Sequence, residues 1–79
     1  MRRHETLLNF TVIYRLEPEG GYTVLVPALP GCVTFGKTLA KARKMGLEAI
    51  QLYVDCLVEE GQPVPLDKTV CVEKLAAAI

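Results

Sequence analysis

Side chains able to do chemistry are few in this 79-residue chain, and their spacing does not bring them together. The three cysteines, Cys32, Cys56 and Cys71, show no CxxC pairing, and the single histidine, His4, stands near the N-terminus. Structural zinc takes four Cys or His ligands, so no metal site is expected. A Cys–His nucleophile pair would need His4 to reach a thiol from the N-terminal end, and the three thiols are read instead as buried structural side chains. Gly20-Gly21 lacks the lysine and helix that follow a phosphate-binding loop, so it reads as a turn. What remains is positive charge. Lys37, Lys41, Arg43 and Lys44 cluster where an anion or RNA could be held, and Arg2-Arg3-His4 could touch RNA. The simpler reading of both is solvated charge. No cofactor is expected.

Composition narrows the classes further. Nine basic and nine acidic residues cancel, which argues against a strong sequence-independent nucleic-acid binder, because phosphate contacts dominate such affinity. An odd, sparse cysteine count is not a secreted disulfide framework. No apolar run approaches the roughly 20 residues of a membrane span. Met1-Arg2-Arg3 is not followed by a signal-peptide core, since Glu5, Thr6 and Asn9 interrupt it. These features predict a cytoplasmic, non-enzymatic single domain over residues 1–79. A domain this small buries only about 60% of its unfolded surface. With 51% hydrophobic residues and no net charge, it is expected to self-associate as a dimer or tetramer.

The elements that position these residues are well marked. Leu8, Phe10, Val12, Tyr14 and Leu16 alternate with Asn9, Thr11, Ile13 and Arg15, the period of a half-buried strand. Glu17-Pro18-Glu19-Gly20-Gly21 is a turn, and Tyr22, Val24 and Val26 return as a second strand. Pro27 and Pro30 fix φ and remove backbone donors, while Gly31 permits a tight bend. Cys32 to Phe35 read as a third strand that Gly36 ends. Thr38 is a good N-cap. Leu39, Ala42, Gly46, Ala49, Ile50, Tyr53 and Leu57 then form one helical face, with Gly46 placed for close approach to the sheet. Gly61, Pro63 and Pro65 end the helix. Thr69 to Leu75 read as a fourth strand after a connector, and 76–79 as an apolar tail. The expected fold is α+β, a two-layer β-β-β-α-β arrangement with one helix on one face of a four-stranded sheet. A right-handed crossover gives the order 3-2-1-4, with the last strand parallel to the first. The other sheet face carries apolar residues that the chain itself leaves uncovered.

The segment Tyr22-x-Val24-x-Val26-Pro27-x-Leu29-Pro30-Gly31-Cys32-x-Thr34-x-Gly36-x-Thr38, followed by a helix holding Glu48-Ala49-Ile50, resembles the HicB antitoxin family, with likeness over roughly residues 8 to 75. The resemblance implies a truncated ribonuclease-H-like β-β-β-α-β domain. It implies as partner a small basic HicA-type toxin, an mRNA-cleaving ribonuclease that the antitoxin binds and occludes. The motif positions Tyr22, Pro27, Leu29, Pro30, Gly31, Cys32, Gly36, Thr38 and Gly46 are structural in this reading. A nuclease of that fold would need clustered carboxylates on paired metal ions. The first strand offers only Asn9 and Thr11 at its centre, and Glu48 and Glu73 cannot make such a cluster alone.

Three departures qualify the likeness. Ala28 stands where the family usually has an acidic residue. Lys37, Lys41, Arg43 and Lys44 occupy a helix start that is usually acidic, and cations oppose the macrodipole there. The chain ends at Ile79 without the helix-turn-helix or ribbon-helix-helix that many members add, which argues against direct DNA binding. A solitary member without a toxin is one reading. A non-catalytic RNA- or small-ligand-binding module using the lysine-rich helix start is the alternative.

Overall fold

A computed structural model describes residues 6–79. The order of elements is β1 (Ile13–Leu16), β2 (Tyr22–Leu25), β3 (Val33–Gly36) and α1 (Leu39–Glu59). The three strands form one antiparallel sheet in the order β1-β2-β3, and α1 packs across β3 and β2. The fold class is α+β, as expected.

Register decides which residues meet the helix. Tyr14, Val24 and Thr34 lie opposite one another across the strands, as do Ile13, Leu25 and Val33. Val24 faces α1, because a Cβ added at Gly46 would sit 3.1 Å from Val24 Cγ1. Alternation then puts Ile13, Leu25, Val33 and Phe35 on the far side. Val24, Val26, Ala28, Leu29, Cys32 and Ala42 are buried, and Phe10, Val12, Ala49, Ile50, Tyr53 and Val54 pack against Val26, Leu29 and Cys32.

The bend between β2 and β3 is built from two turns in series. Leu29 N–H donates to the Val26 carbonyl and Cys32 N–H to the Leu29 carbonyl, at 3.0 and 2.9 Å. Each turn has proline at its second position, where φ is already set. The second has Gly31 at its third position with φ +79°, the left-handed value that a type II turn requires there. Val26 N–H reaches the Cys32 carbonyl across the base. The bend is thereby closed, and Leu29 is driven into the core rather than looped into solvent. Full burial of a leucine contributes roughly 1.5–3 kcal/mol.

The helix has both ends capped. Thr38 is extended (φ −125°) and its Oγ1 accepts from Lys41 N–H at 3.1 Å. At the other end Gln62 N–H donates to the Leu57 carbonyl and Gly61 N–H to the Val58 carbonyl. That is the Schellman pattern, with Gly61 at φ +71°.

Several sequence expectations are corrected. The first strand spans Ile13–Leu16, not residues 8 to 16: Phe10 and Val12 pack on the core without a strand partner. Leu39 is exposed rather than inward, because it opens the helix before the stripe reaches the sheet. Cys56 and Cys71 are exposed and only Cys32 is buried. The largest correction concerns Thr69 to Leu75, which form no strand, so the described sheet has three strands and not the four of the order 3-2-1-4. The reason lies in the layer above. Since α1 covers β3 and β2, a strand added beyond β1 would have no helix over it and little surface to bury against. Ordering it would still cost about 1–2 kcal/mol per residue in backbone entropy.

Candidate functional site

The family-like motif is a frame for the two layers. Tyr53 Oη–H donates to the Pro30 carbonyl at 2.8 Å, tying the proline bend to the second half of α1. Gly36 is buried under the first turn of the helix, where a Cβ would overlap the backbone N and Cα of Ala42. Cys32 lies beneath the bend, and burial pushes its thiol pKa up, which leaves it unreactive. Tyr22 stands at the start of β2, paired with both Leu16 and Gly36. Pro27, Leu29, Gly31, Thr38 and Gly46 take the turn, core, cap and contact positions described above.

Two of the grooves on this frame bear on function. One runs between the second half of α1 and the start of β3. Its volume is about 470 Å³, and Cys32, Val33, Leu52, Tyr53, Cys56 and Leu57 lie along it. Leu52 is 67% exposed there, so the groove is an apolar surface open to a partner. Leu52 and Cys56 are one helical turn apart and outside the core stripe. Helical spacing alone does not show that these two residues border a groove.

The other groove lies at the helix start. Lys37, Lys41 and Lys44 converge around Phe35, Met45 and Glu48, enclosing about 440 Å³. Of the four cations singled out in the sequence, Arg43 is therefore not among the residues lining this groove. No acidic residue stands in the first helical turn, so neither the macrodipole nor a carboxylate cap opposes an anion there. Arg2, Arg3 and His4 lie outside the described residues. Among the described residues, no group of three or more His, Cys, Asp and Glu side chains is placed to hold a metal ion.

Two polar contacts were not foreseen. Arg15 Nε–H donates to Glu17 Oε1 at 2.8 Å where β1 enters the β1–β2 turn, and this bond lowers the Glu17 pKa. Asp67 accepts from both the backbone N–H and the Oγ1–H of Thr11, each at 2.7 Å, and these bonds hold its carboxyl below the usual aspartate value. Thr11 and Asp67 are 56 positions apart, and no local pattern announces such a pair.

A helix laid on a short antiparallel sheet, framed by a double-proline bend and edged by an apolar and a basic groove, defines a small α+β domain. The chain belongs to the HicB-like antitoxin family: the family model described as HicB_like antitoxin of bacterial toxin-antitoxin system matches residues 10–78. It is 42% identical to a UPF0150 protein of Synechocystis over 59 residues, covering 75% of each chain. It is also 42% identical to a UPF0150 protein of Thermoplasma acidophilum over 60 residues, 76% of this chain and 87% of that one. A UPF0150 protein of Archaeoglobus fulgidus is 37% identical over 57 residues, 70% and 83% of the two chains. The match includes the stretch from Leu66 onward, which forms no strand here. No helix among the described residues is long and apolar enough to cross a membrane.

Proposed function

We propose that this protein is a cytoplasmic antitoxin that binds a small HicA-type, mRNA-cleaving toxin and occludes its surface. It acts as a single domain, without catalysis of its own, and as a dimer or tetramer. The observation that carries this reading is the family match along residues 10–78. The surfaces suit it. Occlusion of a protein partner takes about 800 Å² from each side with an apolar centre. The groove around Leu52 and Cys56 and the open sheet face with Val33 and Phe35 offer apolar centres of that kind. The motif residues from Tyr22 to Gly46 act in this reading by holding sheet and helix together, not by touching the toxin.

The test is coexpression with a small HicA-type toxin. Growth should be restored and the two proteins should copurify. A toxin that keeps cleaving mRNA in the presence of excess purified antitoxin would overturn the reading.

The lysine groove favours a second reading, an RNA- or anion-binding module, because three cations converge there beside an aromatic ring. Glu48 in the same groove works against it. Titration with single-stranded RNA separates the two. Binding that weakens steeply with salt and is lost on Lys41→Glu with Lys44→Glu supports the module.

A further inference from the structure

Beyond Asp67 the last segment of the chain lies against no part of the core cluster. Every residue from Leu66 to Ile79 is exposed, and Val72 and Leu75 are each 82% exposed. The molecule measures 54 × 25 × 18 Å with a radius of gyration of 14.9 Å, against roughly 12 Å for a compact chain of this length. It is a small body with an arm. The root of the arm is fixed: Asp67 is bonded twice to Thr11, and Pro63 and Pro65 stiffen the approach. Thr11 lies two residues before β1, whose outer edge has no strand neighbour among the described residues, because the sheet order is β1-β2-β3. Residues 69–75 carry a strand's alternation, with β-branched Val70 and Val72 on one side. A strand-like arm and an unpaired edge thus share one end of the molecule.

We propose that the arm is an exchanged strand: residues 69–75 of each copy pair along the free edge of β1 in a second copy, giving a reciprocal dimer in which the arms join the two sheets. This rests on the oligomeric reading above and goes beyond it by assigning the segment that crosses. The β1 edge is favoured over the β3 edge because the arm is rooted at β1, while β3 lies two strand spacings away, about 9–10 Å. The position beyond β1 is the same in a second copy, and what exchange adds is the contact between the two bodies that the arms bring together. Exchange of an identical element is a low-cost route to a dimer, and it removes an exposed edge that would otherwise template aggregation.

The test uses the full chain with Leu16→Cys and Cys56→Ser, treated with a short bis-maleimide. Cys71 on the arm is exposed and Cys32 is buried, so the reactive pair is Cys71 and the new thiol on β1. Leu16 is 66% exposed, and Arg15→Cys serves as a second version. The expected product is a covalent dimer of twice the 8.7 kDa chain, and Val70→Asp with Val72→Asp in the native background should reduce the light-scattering mass to that of a monomer. A crosslink confined within one chain overturns the proposal, as does a monomeric native protein. A native dimer that neither crosslinks nor responds to the aspartates overturns the exchange while leaving the oligomeric reading standing. Toxin inhibition is assayed separately, so its failure speaks only to the antitoxin reading.

Discussion

The two faces of the sheet are built to opposite standards. On the helix side, Val24 is fully buried, and Gly36 and Gly46 bring backbone and side chain into direct contact with α1. On the other side, Ile13, Leu25 and Val33 lie in register across all three strands, with Phe35 beside them. Yet Val33 and Phe35 remain 55% and 45% exposed. Both faces are apolar, so hydrophobicity does not distinguish core from surface in this domain. What distinguishes them is backbone approach: Gly36 and Gly46 let the helix settle against the sheet although Tyr14 and Tyr22 share that face, while Val33 and Phe35 on the other face present area to something outside the chain.

If that contrast is right, adding a side chain to the covered face should do the most damage. Gly36→Val places its Cβ against the backbone of Ala42, which cannot rotate away. The expected loss is about 3 kcal/mol or more, a large share of the 5–15 kcal/mol typical of a whole domain. Chemical denaturation monitored by circular dichroism measures it, and a near-native midpoint would show that the helix can lift at little cost. Leu29→Ala empties the core beneath the proline bend, where Leu29 is 1% exposed. It should cost roughly 2–3 kcal/mol. A loss below about 1 kcal/mol would mean the bend collapses to fill the space.

Gly46 sharpens the same point. Its neighbour is the tip of Val24, 3.1 Å from an added Cβ, and not a backbone atom. Gly46→Ala should therefore change stability little, since a helix-propensity gain of about 1 kcal/mol is offset by the contact. Gly46→Leu should overpack by roughly 1–3 kcal/mol. A raised melting temperature for the leucine variant would place the close approach at Gly36 alone.

How legible was this in the sequence? Patterns within a few residues carried through. Pro27, Pro30 and Gly31 specified the bend, because φ at proline and a positive φ at glycine are local facts. Thr38 and Gly61 marked the helix ends for the same reason. Gly46 was placed correctly by helical spacing. Gly36 was read only as a strand terminator, although it makes the closer contact, because nothing local reveals what packs over a strand end. The fourth strand failed on similar grounds. Alternation in Thr69 to Leu75 shows how side chains would point, but not whether a face exists to receive them. The lysine cluster was partly legible: three of its four cations line one groove, and Arg43 does not, because helix phase alone cannot show where β3 ends. The Thr11–Asp67 contact spans almost the entire chain and left no local signal.

Polar substitution on the open face should separate stability from association. Val33→Ser with Phe35→Ser replaces side chains already about half exposed, so unfolding free energy should shift by no more than about 1 kcal/mol. Binding to another chain should weaken at least tenfold if this face is buried in a complex. Calorimetry with the partner and denaturation of the isolated protein read the two quantities independently. A variant that unfolds readily but still binds would reverse the assignment of the faces.

The smallest effect is expected at the root of the arm. Asp67 is ionised when it accepts the two Thr11 bonds, and its pKa is lowered chiefly by the backbone N–H and then by the hydroxyl. A depressed carboxylate contributes stability above its unfolded pKa of about 3.9 and loses it as pH falls through the lower folded value. The body's own depressed carboxylate, Glu17, lies at the opposite end of β1 from Thr11, so the Thr11 amide reports the root of the arm. The Thr11 amide resonance should titrate with a midpoint below the ordinary aspartate value, while the Val24 amide stays fixed over the same range. Asp67→Asn should abolish the Thr11 titration and leave the melting temperature of the body within a degree or two. If Val24 and Thr11 instead shift together, arm and body form one cooperative unit, and the division between a finished face and an unfinished edge does not hold.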